Sequence, residues 1–271
     1  MTIAGTGWSA RLFGRRWWPL WLGALALGII LLTDWAEVRL LAAVVLFFLP
    51  GWAWLEACWP GAGQGVWRLL VAAGLGLALT SLGTLYLAYL PGPLTVTHLL
   101  LGYVVITLPA LVLARRRPLS RLEWPDREGW LLILAVLGVA AALRMPHLGY
   151  AEFHEDEVEV TSLAVRAIQG EDYAVFLHRK GPAQMLLPLA GWLLSDRITE
   201  GWARLPFALA SLLGVLTLAW LALRLVGPAA GVTAGLLLAL NGYLVAFGRM
   251  VQYQALIFFL ASLAMVCLWR V

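Results

Sequence analysis

The feature of this sequence that most constrains its fold is a series of apolar stretches of about 20 residues that recur along the chain. A helix of that length crosses a hydrocarbon core about 30 Å thick. Of the 271 residues, 62% are hydrophobic and 13% are charged. A soluble domain has about 45–50% apolar and about 25% charged residues. We therefore predict an all-α polytopic membrane protein, and we exclude a water-soluble globular domain, a disordered chain and a fibrous chain.

Eight apolar runs predict transmembrane helices. They are Trp17–Leu32, Val38–Cys58, Trp67–Leu90, Leu94–Ala114, Trp130–Met145, Pro206–Val226, Ala229–Phe247 and Ala255–Trp269. The first run resembles a signal peptide, but it lacks a convincing cleavage site and many spans follow it, so we interpret it as an uncleaved helix. The net charge is +4, and the basic residues cluster at the ends of the runs. That placement indicates orientation in a membrane rather than nucleic-acid binding.

The arginines set the predicted orientation of these helices. Arg11, Arg15 and Arg16 precede the first span and Arg115-Arg116-Arg117 follows the fourth, so both groups are expected in the cytoplasm of a multi-pass protein of the cell membrane. The fifth span then leads outward into residues 146–205, an expected extracytoplasmic loop with interfacial helices. Residues 146–182 of this loop hold seven of the fifteen carboxylates.

The apolar run Ala183–Leu194 decides the topology of the remainder. As a helix its twelve residues would span only about 18 Å, and Pro188 interrupts it. We therefore expect it to lie in the outer interface without crossing. The last three spans then place Arg224 and Arg270 in the cytoplasm, and they place the loop Gly248–Gln254 outside, beside the acidic loop. The predicted regions are a four-helix part, 1–129, and a second part, 130–271.

An amphipathic helix on the membrane surface is predicted within the acidic loop, ending at Gly170. Its interleaved apolar residues are Val158, Leu163, Val165 and Ile168. Asp156 and Glu157 lie at its N-terminus, where the helix dipole stabilises their charges. Such a pair can simply cap a helix. It can also supply a general base or a metal ligand at the membrane surface.

Several short motifs follow one another in the second part of the chain. In order they are Glu155-Asp156-Glu157, a helix ending at Gly170, Lys180-Gly181-Pro182, Ala203-Arg204-Leu205-Pro206 and the arginine-containing loop Gly248–Gln254. From Trp130 onward this order resembles the GT-C membrane glycosyltransferases. The most similar branch contains the protein O-mannosyltransferases and the lipid A aminoarabinose transferases.

The resemblance implies transfer of a sugar from a polyprenyl-phosphate donor to a lipid, glycan or protein acceptor on the outer face of the membrane. It places Asp156, together with Glu157, at the catalytic site. A phosphate leaving group needs cations and an acceptor hydroxyl needs a base. The candidate phosphate-binding cations are Lys180, Arg179 and Arg249, and the further candidate substrate-binding residues are Arg204, Gln252 and Tyr253. For any one of the cations, anchoring to anionic membrane lipid is an equal alternative.

The sequence also departs from the family pattern. Lys180 is followed by Gly181-Pro182 where the family usually has Pro-Pro or a direct Lys-Pro, and the loop Gly248–Gln254 carries no carboxylate. Binding of a divalent cation is therefore left open, because the sequence supplies an incomplete ligand set, and no cofactor is predicted. Family members continue through further helices, so we expect this chain to be a fragment or the first half of a split enzyme, and whether it is active alone is left open.

A zinc site is a less favoured alternative. His147, His154 and His178 fall in the acidic loop with Glu155 and Asp156, but no pair has the tight helical spacing of zinc motifs.

Two other functions are carried forward. A transporter or flippase should place ionisable residues inside the bilayer or show broken helices. In this sequence only Glu56 and Arg68 lie plausibly inside spans, and each lies near an end of its own span. A noncatalytic scaffold would account for the spans, but it gives the acidic loop, the single lysine and the Arg249 loop no common reason.

Overall fold

A computed structural model of the chain describes residues 18–60, 65–115, 127–171 and 173–270, and within these ranges it is helical without strands. The predictions made on Arg11, Arg15, Arg16, Trp17, Arg116, Arg117 and Asp172 lie outside the described residues.

Eleven α-helices and one short 3₁₀-helix occur in the described ranges. They are α1 (Trp18–Leu32), α2 (Ala36–Cys58), α3 (Val66–Leu87), α4 (Val96–Ala114), α5 (Arg127–Arg144), α6 (Glu155–Ile168), the 3₁₀-helix Ala174–Leu177, α7 (Ala183–Ser195), α8 (Glu200–Leu225), α9 (Pro228–Leu240), α10 (Gly242–Gly248) and α11 (Tyr253–Arg270). Every apolar run in the predicted set coincides with a helix or, for α9 and α10, with a pair of helices.

Four of these helices, α2, α3, α4 and α8, are long and apolar enough to cross a membrane. Helices α9 and α10 together make a fifth candidate that is bent by 62°. Helices α1, α5, α7 and α11 contain shorter apolar segments. The described chain is therefore a helical membrane protein with four or five helices that meet the requirement for crossing.

The run Ala229–Phe247 is not the single straight helix expected from its hydropathy. Asn241 leaves the helical conformation, with ψ at 113°, and its side-chain oxygen accepts the backbone N–H of Leu244 at 3.0 Å to begin α10. On the other side of the break, the guanidinium of Arg144 donates to the Ala239 carbonyl of the last turn of α9 at 2.9 Å. Both ends of the break are thus supplied with hydrogen-bond partners, which stabilises the bend.

Helix α7, at thirteen residues, is shorter than a membrane-crossing helix, and protein covers it where the sequence predicted contact with the lipid interface. Eleven of its thirteen residues are buried inside the protein, where α7 packs against α2, α3, α6 and α8. The reason is that apolar side chains surround the helix on all sides, and a helix of that kind is covered by protein.

Helix α6 has the predicted amphipathic character and ends as predicted at Gly170, which adopts a positive φ of 90°. Its buried face contains Val160, Leu163, Ala164 and Ala167 and packs on α7. The partner of the apolar face is therefore another helix, where the sequence predicted the membrane surface.

The polar connections gather at one end of the helix assembly. Arg39 at the start of α2 lies 3.6 Å from Asp196 after α7, and Gly170 lies beside Pro93, between α3 and α4. The backbone N–H of Val251, between α10 and α11, reaches the Glu157 carboxylate. We call this end, formed by residues 33–35, 88–95, 145–171, 173–199 and 249–252, the acidic end. The two loops that the predicted topology puts on one side do lie together.

Candidate functional site

The first turn of α6 is held by a capping box. The Nδ1 atom of His154 accepts the backbone N–H of Asp156 at 3.3 Å, and the Glu157 carboxylate accepts the backbone N–H of His154 at 2.9 Å. Such a reciprocal arrangement satisfies two of the N–H groups that a helix leaves unpaired at its start. The cap uses the backbone of Asp156 and leaves its carboxylate free for other contacts.

The Asp156 carboxylate meets Lys180, the only lysine of the chain. Its Oδ1 atom lies 3.4 Å from the Lys180 Nζ, and the two side chains are 55% and 37% exposed. The backbone N–H of Lys180 donates to Nδ1 of His178 at 2.8 Å, and Gly181 follows with a φ of 105° that favours glycine. This turn brings the lysine back to the start of α6.

Glu157 follows Asp156 in the first turn of α6 and is fully buried. Its two oxygens accept four hydrogen bonds, from Nε and Nη2 of Arg204 at 2.9 and 2.8 Å and from the backbone N–H groups of Val251 and His154 at 2.8 and 2.9 Å. Burial by itself raises the pKa of Glu157, but these hydrogen bonds and the charge of Arg204 outweigh it and hold the pKa below its ordinary value.

Arg204 is saturated in the same way. Besides its two bonds to Glu157, it donates through Nη1 to the carbonyls of Leu148 and Ala151 at 2.8 and 3.0 Å, and through Nη2 to that of Glu152 at 3.0 Å. A guanidinium has five N–H donors, so all of them are used. The Glu157–Arg204 pair therefore joins α6, α8 and the segment 148–152 into one platform, with no donor or acceptor left for a substrate.

The loop before α11 is tied to the same platform. Nε2 of Gln184 in α7 donates to the carbonyl of Val251 at 2.6 Å and lies 3.5 Å from Oε1 of Gln252. Gln252 is 2% exposed, and Tyr253 is half-buried at the start of α11. Gln252 therefore belongs to the wall of the platform, and Tyr253 follows it in the chain.

The two remaining predicted cations take separate positions. Arg249 donates to the carbonyl of Leu143 at 3.1 Å, and its guanidinium lies 5.3 Å from the centre of the Tyr150 ring. Arg179 is exposed and forms no ion pair with the residues that the structure describes. The structure thus brings Asp156 and Lys180 together. Arg179 directly precedes Lys180 in the chain, and Arg249 is held by Leu143 and Tyr150.

Among the described residues, no group of three or more His, Cys, Asp or Glu side chains is arranged so that it could hold a metal ion. His178 is half-buried, and burial lowers its pKa. The predicted alternative of zinc among the three histidines therefore finds no counterpart in that part of the chain.

Two features of the site were missed by the sequence reasoning. Gln184 was not considered, because a single glutamine inside an apolar run carries no distinctive signal. The inward orientation of Glu157 could have been found, since it lies three residues before Val160 and seven before Ala164 on the apolar face of α6.

Comparison of the chain with models of protein families, with curated proteins and with solved structures gives no match.

Proposed function

We propose that the chain is a membrane glycosyltransferase that uses a sugar linked to a polyprenyl phosphate, with its site at Asp156 and Lys180. The single observation that carries this proposal is the contact between these two side chains, which lie 24 residues apart in sequence and 3.4 Å apart in space. A carboxylate and an ammonium side by side at the surface match a reaction that takes a proton from a hydroxyl and releases an anionic phosphate.

In this proposal Asp156 takes the proton of the acceptor hydroxyl as the acceptor oxygen bonds to the anomeric carbon of the sugar. The bond between that carbon and the phosphate oxygen breaks, and the electron pair leaves with the polyprenyl phosphate. Lys180 and the exposed Arg179 bind the phosphate, because charge-assisted hydrogen bonds to phosphate are among the strong ones. General-base assistance of this kind contributes about 10²–10⁴-fold in rate.

The roles of the other predicted residues change with the geometry. Glu157 and Arg204 have no free donor or acceptor, so we assign them to positioning of the Asp156 turn, in place of catalysis and substrate binding. Gln252 is buried beside Gln184, and we assign it to the support of the platform. Tyr253 and Arg249 remain available for contacts with the lipid-linked donor at its edge.

The proposal includes the membrane arrangement inferred from the sequence. Eight crossings, with α9 and α10 counted as one, put the acidic end outside the cell and the arginines near residues 115 and 224 inside. A polyprenyl-phosphate sugar is confined to the membrane, so a site at the end of the helices meets it at the height of its phosphate.

A flippase is the second candidate, and one observation favours it. The helix pair α9 and α10 is bent by 62° beside Arg144, which is fully buried and bonded to carbonyls and to Ser211. Discontinuous helices and buried ionisable residues are typical of transporters. Transporters of this kind usually pair two such breaks, and the described part of the chain has one.

The experiment is a titration of the full chain in lipid nanodiscs with undecaprenyl phosphate, followed by native mass spectrometry. Loss of a charge-assisted contact costs about 1.5–3 kcal/mol, so Lys180→Gln should raise the apparent Kd about tenfold or more. The matched control is Glu155→Gln, an exposed neighbour in the same turn, which should bind as the wild type does. An unchanged Kd in Lys180→Gln would contradict the proposal.

A further inference from the structure

The 3₁₀-helix at the acidic end has buried side chains on one side and exposed side chains on the other. Ala174 and Val175 are buried against the core, whereas Tyr173, Phe176 and Leu177 are 75%, 48% and 51% exposed. The inward pair anchors the segment to α6. The outward three side chains therefore form a fixed apolar surface with no partner among the described residues except at one edge.

That edge is the end of α3. The ring of Phe176 lies 4.8 Å from the ring of Tyr89, centre to centre, just beyond a helix that is long and apolar enough to cross a membrane. This surface, which we call the aromatic rim, consists of Tyr86, Tyr89, Leu90, Tyr173, Phe176 and Leu177.

The aromatic rim continues the surface that α3 offers to lipid. Leu82, one turn before Tyr86, is 63% exposed on the same helix, and a residue so exposed on a membrane-crossing helix faces hydrocarbon. Four of the six rim residues are Tyr or Phe, and amphipathic aromatic rings concentrate where hydrocarbon meets headgroups. An apolar patch of this kind exposed to water would also favour aggregation.

We propose that the segment Tyr173–Leu177 inserts into the interfacial zone of the bilayer leaflet at the acidic end, with the lipid surface as its partner. The segment is then a membrane hook that fixes the depth of the polar loop. Lys180 follows Leu177 by three residues, so the Cα atoms of these two residues lie at most about 11 Å apart. The Asp156–Lys180 pair is thereby held at the height of the headgroups, and this placement does not depend on which reaction the pair performs.

The test uses single cysteines labelled with the fluorophore NBD in lipid nanodiscs. Phe176→Cys and Leu177→Cys are made in a background with Cys58→Ala and Cys267→Ala, and Ser162→Cys is the matched control, because it is exposed on the neighbouring helix α6. Quenching is measured with shallow nitroxide-labelled phospholipids and with aqueous iodide. We expect the labels at 176 and 177 to emit at shorter wavelength, to be quenched by the lipids and to be shielded from iodide, with the reverse at 162.

Two results would overturn the hook. Equal iodide quenching at positions 176, 177 and 162 would place the segment in water. Shielding from both quenchers would show that another protein surface, such as a second copy of the chain, covers the rim. Because all three substitutions fall on exposed side chains, loss of folding is not expected to obscure the comparison.

Discussion

Replacing Glu157 with glutamine should destabilise the protein strongly. Glutamine keeps the size and one acceptor oxygen, but it removes the charge and turns one acceptor into a donor. In the wild type, the Glu157 carboxylate accepts four hydrogen bonds at 2.8–2.9 Å. At least one N–H group of Arg204, Val251 or His154 would then face the new amide N–H₂, and the guanidinium of Arg204 would be buried without a counter-charge.

The size of the effect follows from burial. Glu157 is fully buried and the Arg204 side chain is 4% exposed, so solvent cannot replace the lost partner. Breaking one side of a buried pair costs about 3–5 kcal/mol. For a chain of this size about 2–4 °C is lost per kcal/mol, so the Tm should fall by about 6–20 °C.

The pH dependence supplies a second, independent prediction from the same residue. The pKa of Glu157 is lowered in the folded state, whereas an unfolded glutamate titrates near its ordinary value of about 4.3. The stabilisation is therefore complete above that ordinary value and is lost as the pH falls through the lower, folded-state pKa. The difference in Tm between wild type and Glu157→Gln should be large at pH 7 and should shrink in acid.

The assay is thermal unfolding of the purified chain in one detergent, read by size-exclusion chromatography after heating, at pH 7 and in acid. The control is Glu155→Gln, which removes the same charge two residues away from an exposed position, and its Tm should match that of the wild type. A Glu157→Gln variant as stable as the control at pH 7 would refute the assignment of Glu157 to the platform.

Two further predictions concern the helices. In Gly51→Ala the new Cβ would lie 2.0 Å from the backbone oxygen of Ala72, so α2 and α3 must separate. We expect the free energy of unfolding to fall by about 1–3 kcal/mol, as measured by thermal unfolding. The control Gly28→Ala, whose Cβ would have no atom within 4 Å, should leave the stability unchanged. For the topology, single cysteines at Ser162 and Leu225 should react with an impermeant thiol reagent from opposite sides of the membrane, and labelling of both from one side would contradict the orientation.

The helices were predictable from the sequence because length and hydropathy constrain a chain in a bilayer more tightly than in water. The break at Asn241 was not, because hydropathy is continuous across it. Its partners, among them Arg144, come from a distant part of the chain. An arginine at the end of an apolar run predicts a membrane boundary, and nothing local shows that it will bind the end of another helix.

The candidate site was predictable in part. The acidic turn and Lys180 were both singled out, and the structure brings them together. The sequence analysis treated Asp156 and Glu157 as one pair, although the spacing of Glu157 to Val160 and Ala164 places only Glu157 on the apolar face of α6. The saturation of Arg204 could not be predicted, since all five of its hydrogen bonds need residues 148–152 and Glu157 to be folded around it.

The central claim, that Asp156 acts as the base of a sugar transfer, is tested most directly by release of undecaprenyl phosphate from undecaprenyl-phosphate sugars. The full chain is reconstituted in nanodiscs with a panel of such donors and an excess of acceptor glycolipid, and the wild type is compared with Asp156→Asn and Glu155→Gln. We predict that Asp156→Asn slows release by about 10²–10⁴-fold at unchanged Tm, while Glu155→Gln releases the lipid phosphate as the wild type does. Release by Asp156→Asn at the wild-type rate would contradict the account.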